Sequence, residues 1–108
     1  MTLLASLQQL GRPRLLVFGD LILDRYRSGN VERVSPEAPV LVLAEDAQEM
    51  RAGGAASVAA LARGLDAEVA LAGVVGDDPE GKTLRTQLEA AGIDTLLVLE
   101  DSMRPTTV

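Results

Sequence analysis

Residues 51–62 read RAGGAASVAALA, two adjacent glycines followed by an unbroken run of small, helix-favouring residues. Gly53 and Gly54 can take backbone angles that a side chain forbids, and they let another molecule approach the main chain closely. Ala55 to Ala62 read as a helix whose first turn carries free N–H groups and a partial positive charge. A glycine pair there is suited to holding hydroxyls or an anion. The same pair also serves as a tight turn that only lets the helix pack on a sheet. The rest of the chain has to separate the two readings.

Working outward, the segments on either side are short apolar runs. Leu15, Leu16, Val17 and Phe18 form one, with the continuity expected of a strand buried on both faces of a parallel sheet. Val69 to Val75 is a second, ending at Gly76, and Thr95 to Leu99 a third. Between the last two, Asp77-Asp78-Pro79 is a helix start: a capping carboxylate, then proline where a missing N–H costs nothing. That signature favours a cap over a metal site for the two aspartates. Leu84, Leu88 and Ala91 supply the apolar stripe and Gly92 the stop. Upstream, Leu3, Leu4, Leu7 and Leu10 share one helical face over residues 2–10, closed by Gly11 and Pro13. The order is β-excursion-α-β-α-β, an α/β fold with a parallel sheet and right-handed crossovers.

The excursion occupies residues 28–46. Gly29-Asn30 is a turn signal, Pro36 and Pro39 favour edge positions, and VLVLA follows over 40–44. The segment is expected to form two exposed strands that leave the main sheet. At the other end, Arg104-Pro105-Thr106-Thr107-Val108 opens another β-branched run, which suggests the front part of something longer.

Composition removes several classes of function. The 108 residues carry a net charge of −6, against the clustered positive charge that a nucleic-acid or anionic-membrane surface needs. With no cysteine and no histidine, disulfides, a histidine base and Cys or His metal sites are excluded. No apolar run reaches membrane-spanning length and no signal peptide is visible, so a cytoplasmic protein is expected. There is no G-x-x-x-x-G-K-[ST] loop, and the single lysine, Lys82, lies in the wrong context for gripping phosphate.

Ligands of open α/β sheets bind outside the carboxyl ends of the strands. Gly19-Asp20 through Asp24, Gly53-Gly54 and Gly76-Asp77-Asp78 all collect there. Asp24 is the most suggestive acid: it can accept hydrogen bonds from the hydroxyls of a polyol, or else cap a turn or pair with Arg25 or Arg27. Arg51 reaches toward an anion at the glycines or is a solvated surface charge.

GDLILDRY at 19–26, AGGAASVA at 52–59 and AGVVGDDPEGKTL at 72–84 together resemble the N-terminal part of the ribokinase-like (PfkB) carbohydrate kinases. The family's signature is Gly-Gly, small residues, Asn and a small residue, with a later glycine closing the next strand. Gly53, Gly54, Ala55, Ala56, Ala59 and Gly76 match it. VERVSPEAPVLVL and the RPTTV ending narrow the resemblance to the branch acting on D-glycero-β-D-manno-heptose 7-phosphate, for ADP-heptose and lipopolysaccharide. Other members, such as ribokinase, fructokinase or ketodeoxygluconate kinase, and a non-catalytic oligomerisation fragment remain open.

The resemblance implies a ribokinase-like fold in which Asp24, the Gly53-Gly54 backbone and the residue at Ser57 hold a sugar phosphate. Residues 28–46 would be a β-lid over the sugar, shared by two subunits of a homodimer through Val31, Val34, Val40 and Val42. It implies ATP and Mg²⁺ as cofactors of the full-length kinase. It also places the catalytic Asp, a glycine-rich anion hole and the ATP pocket beyond residue 108, so residues 1–108 alone are expected to hold neither cofactor and to be inactive. Two positions depart from the pattern. Ser57 stands at the family's asparagine, which puts sugar affinity in question, and Asp66 stands at the family's glycine after the helix, which is expected to change only a turn.

Overall fold

A computed structural model describes the backbone of residues 2–34 and 41–108, and the side chains outside 30–47. Eight elements follow in order: α1 (Leu3–Gln9), β1 (Arg14–Phe18), β2 (Leu21–Val34), β3 (Leu41–Gly54), α2 (Ala55–Gly64), β4 (Glu68–Gly76), α3 (Pro79–Ala90) and β5 (Asp94–Asp101). The strands β1, β4 and β5 form a parallel sheet in the order β1-β4-β5, with β4 in the centre. β2 and β3 pair antiparallel as a separate two-stranded sheet.

The core lies between the parallel sheet and α2 and α3. Along β4, Val69, Leu71 and Val75 alternate toward the helices and are buried. They meet Leu84 and Leu88, one turn apart on α3, and Ala56 and Ala59 on α2. The small side chains of α2 bring its axis close to the sheet. Each fully buried leucine contributes roughly 1.5–3 kcal/mol over an exposed one. Helix α3 begins as its sequence predicts: the Asp78 carboxylate accepts from Gly81 N at 2.7 Å and Pro79 occupies the first turn. Arg85 then donates to Thr95 O at 3.1 Å and Val98 O at 2.7 Å, holding α3 on β5. Gln87 Nε2 donates to Met50 O at 3.0 Å and holds the same helix on β3.

Three expectations need correction. β1 is not buried on both faces. It pairs with β4 alone, and the described helices that contact the parallel sheet cover one of its faces. Leu16 and Phe18 alternate to the other face, together with Leu97 and Leu99 of β5, and Phe18 is 82% exposed. An apolar run signals a strand able to be covered twice; whether it is depends on what lies against it.

The excursion is also longer than 28–46. Its strands begin at Leu21 and end at Gly54, because its root belongs to the core: Leu21 and Leu23 are buried. Gly29-Asn30 is not a turn but lies within β2, paired with Glu45 and Ala44. The register shifts between Ser28 and Gly29, where Asp46 gains no counterpart, so glycine marks a bulge here rather than a reversal. Pro36 and Pro39 lie outside the described residues.

The departure at Asp66 has a local account. Asp66 has φ +71°, the left-handed region that favours glycine, just after α2 ends. Aspartate tolerates that region better than most residues, and its carboxylate lies 3.5 Å from Arg63 Nη1. Arg104 to Val108 adds one bridge to the hairpin rather than a full strand: Thr107 pairs with Ile22 in parallel.

Candidate functional site

The hairpin root and the start of α2 meet at the carboxyl end of β1. Gly54 has φ +59° and is the N-cap of α2, with no side chain capping the first turn. Its geometry turns the chain from β3 into the helix, and Ala55 N donates to Asp20 O at 2.8 Å across the β1–β2 junction. A Cβ at Gly54 would collide with Asp20 O and lie 3.2 Å from the Ile22 side chain. One residue earlier, Gly53 pairs with Ile22 in the ladder, and Asp24, two residues further along β2, points to the same face. The Asp24 carboxylate folds back over Gly53: a Cβ there would lie 2.7 Å from Asp24 Cγ. Only a residue without a side chain leaves room for the acid.

Asp24, Gly53, Gly54 and Ser57 are thus brought together. The half-buried Asp24 carboxylate accepts no hydrogen bond and joins no ion pair among the described residues. Arg25 faces the other way and lies 3.7 Å from Glu80. Ser57 turns its hydroxyl back to donate to Gly54 O at 2.8 Å. The result is a carboxylate without a partner among the described residues, set beside bare glycine backbone and a helix start that no side chain caps. That pairing suits a molecule with several vicinal hydroxyls.

Arg51 is on the same face, opposite Asp24 in the ladder, yet it does not serve the glycines. Its guanidinium forms a bidentate pair with Glu49, 2.9 and 2.8 Å, and sits 5.0 Å over the ring of Tyr26. The hydrogen bond and charge of Arg51 hold the Glu49 carboxyl below its usual range. The side chains are 60% exposed, so this is a solvated surface pair.

Asp78 is spoken for. Besides capping α3, its Oδ1 accepts from Thr106 Oγ1 at 2.6 Å and its Oδ2 from Thr106 N at 2.8 Å. The Thr106 hydroxyl accepts from Gly76 N at 2.8 Å. The cap reading agrees with this geometry at Asp78, whose side chain accepts from Gly81 N. Sequence reasoning overlooked Thr106. Its partners lie 28 and 30 residues away, and nothing local in the sequence marks it.

The parallel sheet, the Gly-Gly helix start and the antiparallel excursion are those of a sugar-kinase fold, and the chain belongs to the pfkB family of carbohydrate kinases, whose model matches residues 12–108. Among curated relatives, the bifunctional protein HldE of Helicobacter pylori is 52% identical over 95 residues, 88% of this chain and 20% of that protein. HldE of Methylobacillus flagellatus is 49% identical over 92 residues, 85% of this chain and 19% of that protein. The D-beta-D-heptose 7-phosphate kinase of Bordetella bronchiseptica is 46% identical over 101 residues, 94% of this chain and 32% of that protein. The chain therefore spans about a fifth of the bifunctional relatives and a third of the Bordetella kinase.

Solved structures agree on the fold. A carbohydrate kinase from Agrobacterium tumefaciens superposes with a TM-score of 0.70 at 23% identity, over 87% of this chain and 29% of that one. A fructokinase from Xylella fastidiosa, solved with bound ATP, gives 0.68 at 26% identity, over 88% and 28%. No helix among the described residues is long and apolar enough to cross a membrane.

Proposed function

We propose that this chain is the sugar-binding N-terminal part of an ATP-dependent kinase that phosphorylates D-glycero-β-D-manno-heptose 7-phosphate to the 1,7-bisphosphate. The observation that carries the reading is the close match to the Bordetella heptose 7-phosphate kinase across nearly the whole chain. The Asp24 carboxylate above Gly53, without a partner among the described residues, supports it. In the reaction the anomeric hydroxyl oxygen attacks the γ-phosphorus of ATP, the bond to the ADP oxygen breaks, and the hydroxyl proton is released. ATP and Mg²⁺ belong to the part of the kinase beyond residue 108. Mg²⁺ would neutralise charge on the transferring phosphoryl group. Asp24 accepts from sugar hydroxyls, while the Gly53-Gly54 backbone and the first turn of α2, with Ser57, line the other side. A cytoplasmic location, where ATP and sugar phosphates occur, goes with this activity.

The β2–β3 hairpin serves in this reading as lid and dimer clasp. A two-stranded sheet is marginal in water unless a face is covered, and an isologous contact lets the same patch cover itself. Val31, Val34, Val40 and Val42 are the proposed contacts; Val40 and the side chains of the other three lie outside what is described. Val40→Lys with Val42→Lys should yield monomers by light scattering, and a double variant that stays dimeric rules out the clasp.

The activity is tested by supplying the full-length kinase with ATP, Mg²⁺ and one acceptor at a time: the heptose 7-phosphate, ribose, fructose or 2-keto-3-deoxygluconate. Turnover with the heptose phosphate at a kcat/KM well above the others is expected. Preference for another acceptor would move the protein to a different branch of the family, and no transfer to any would overturn the kinase reading.

A further inference from the structure

The Thr106 hydroxyl is the hub of a small, partly buried network. It accepts from Gly76 N at 2.8 Å and donates to Asp78 Oδ1 at 2.6 Å, while Thr106 N donates to Asp78 Oδ2 at 2.8 Å. Thr106 is 6% exposed. Two glycines give this network its room. A Cβ at Gly76 would lie 2.7 Å from Thr106 N, and one at Gly81 would lie 2.9 Å from Thr106 Oγ1. The 104–108 segment is thereby clasped to the turn between β4 and α3.

The next residue carries the contact onward. Thr107 O accepts from Leu23 N at 2.8 Å, and Thr107 bridges Ile22 in parallel. Leu23 is wholly buried, and Asp24 follows it directly. β2 is therefore held on one side by β3 and on the other by Thr107, whose place depends on Thr106. The core contacts of Leu21 and Leu23 hold the hairpin root through side chains, and Thr107 adds the backbone partner on the second edge of β2 beside Leu23 and Asp24.

We infer that Thr106 is a positioning residue for the sugar site: clasped by Asp78 and Gly76, it sets Thr107 against Leu23 and so fixes Asp24 relative to the start of α2. The kinetic consequence rests on the proposed sugar-binding role of Asp24; the structural coupling does not. Misplacing an acceptor that binds substrate and transition state alike raises KM and leaves kcat in place.

The test compares Thr106→Val, which keeps the shape and removes the hydroxyl, with Thr106→Ser, which restores it, both in the full-length kinase. Amide hydrogen exchange is read at Leu23, with Leu71 in the centre of the parallel sheet as the internal reference. Thr106→Val should speed exchange at Leu23 and spare Leu71, and Thr106→Ser should return Leu23 to the wild-type rate. Unchanged exchange at Leu23, or equal acceleration at Leu23 and Leu71, overturns the coupling. With the heptose 7-phosphate as the varied substrate, Thr106→Val should raise KM roughly tenfold with kcat within about twofold. A Thr106→Val enzyme with wild-type KM, in a kinase where Asp24→Ala raises it, overturns the inference and leaves the sugar site standing. Faster exchange at Leu23 in a kinase indifferent to Asp24→Ala keeps the coupling and removes the sugar site.

Discussion

Asp24 and Asp78 are both aspartates set beside a glycine-flanked helix start at the carboxyl ends of strands, and they are used in opposite ways. Asp78 spends both oxygens inside the protein, on Gly81 N, Thr106 N and Thr106 Oγ1. Asp24 lies over bare glycine backbone with no partner among the described residues. Leaving a half-buried carboxylate without a donor is unfavourable, whereas satisfying it is a common way to fasten a turn. The contrast separates a carboxylate that builds the fold from one held ready for something else. A similar local pattern of glycine, aspartate and helix start therefore does not identify a site until the partners are counted.

The largest effect should come from removing the free acid. Asp24→Ala in the full-length kinase should cost about 1.5–3 kcal/mol of sugar binding, a rise in KM of roughly 10- to 150-fold, by loss of a charged acceptor. Its thermal stability should be unchanged or slightly improved, since no described donor is left unpaired. Steady-state kinetics and thermal melting together check this. Wild-type kinetics with reduced stability would make Asp24 a structural residue like Asp78 and erase the comparison.

The glycines offer the next test, because each bracket protects a different function. Gly81→Ala brings a methyl group against Gly76 O and to 2.9 Å from Thr106 Oγ1, inside a closed network. Overpacking of that kind costs about 1–3 kcal/mol of stability. Gly53→Ala brings the methyl group against the Asp24 carboxylate, which is free to move aside. It should weaken sugar binding more than it lowers stability. Urea denaturation and sugar titration of the two variants sharpen the distinction, and equal loss of stability in both would blur it.

Acid should also test the Asp78 network. Hydrogen bonds from the Thr106 hydroxyl, then from Thr106 N, with a smaller share from Gly81 N, hold the Asp78 carboxyl below its ordinary value of 3.8. A depressed folded-state value stabilises the protein above the unfolded value, and that contribution is lost as pH falls through the folded one. The stability gap between wild type and Asp78→Asn should therefore be constant from neutral pH to well above 3.8 and narrow only below it. Urea midpoints across that range measure the gap; narrowing that begins near neutrality would assign it to another group.

Much of the fold was legible because its signals are local. The apolar runs before Gly19 and Gly76, the Asp-Pro start of α3 and the stop at Gly92 each declare an element within a few residues. The hairpin was harder: Asp24-Arg25-Tyr26-Arg27 has no clear alternation, since past Leu23 the strand leaves the core and both of its faces carry polar or exposed residues. The exposure of Phe18 could not be read from β1 at all, because burial belongs to the sheet's neighbours. Asp24 and the glycines were legible as candidates from their position after the strands. Thr106 was not, as its partners lie 28 and 30 residues away and no pattern in RPTTV announces a clasp.

The smallest effect concerns Ser57, where the comparison can be tuned rather than broken. In the family pattern an asparagine stands here, and its amide would extend from the first turn of α2 beside Gly53 and Gly54. The serine instead returns its hydroxyl to Gly54 O at 2.8 Å, a local bond to the N-cap that takes one donor out of the site. Ser57→Asn removes that local bond and places both a donor and an acceptor at the exposed start of the helix. The lost bond is worth about 0.5–1.5 kcal/mol at most and is partly replaced by water, so the fold should be little changed. Sugar affinity should be equal or up to a few-fold tighter, because the amide adds a partner on the side opposite Asp24. Calorimetric titration of the heptose 7-phosphate into wild type and Ser57→Asn measures the difference. A clear loss of affinity would mean that the serine, bonded back to Gly54, is itself the shape this sugar requires.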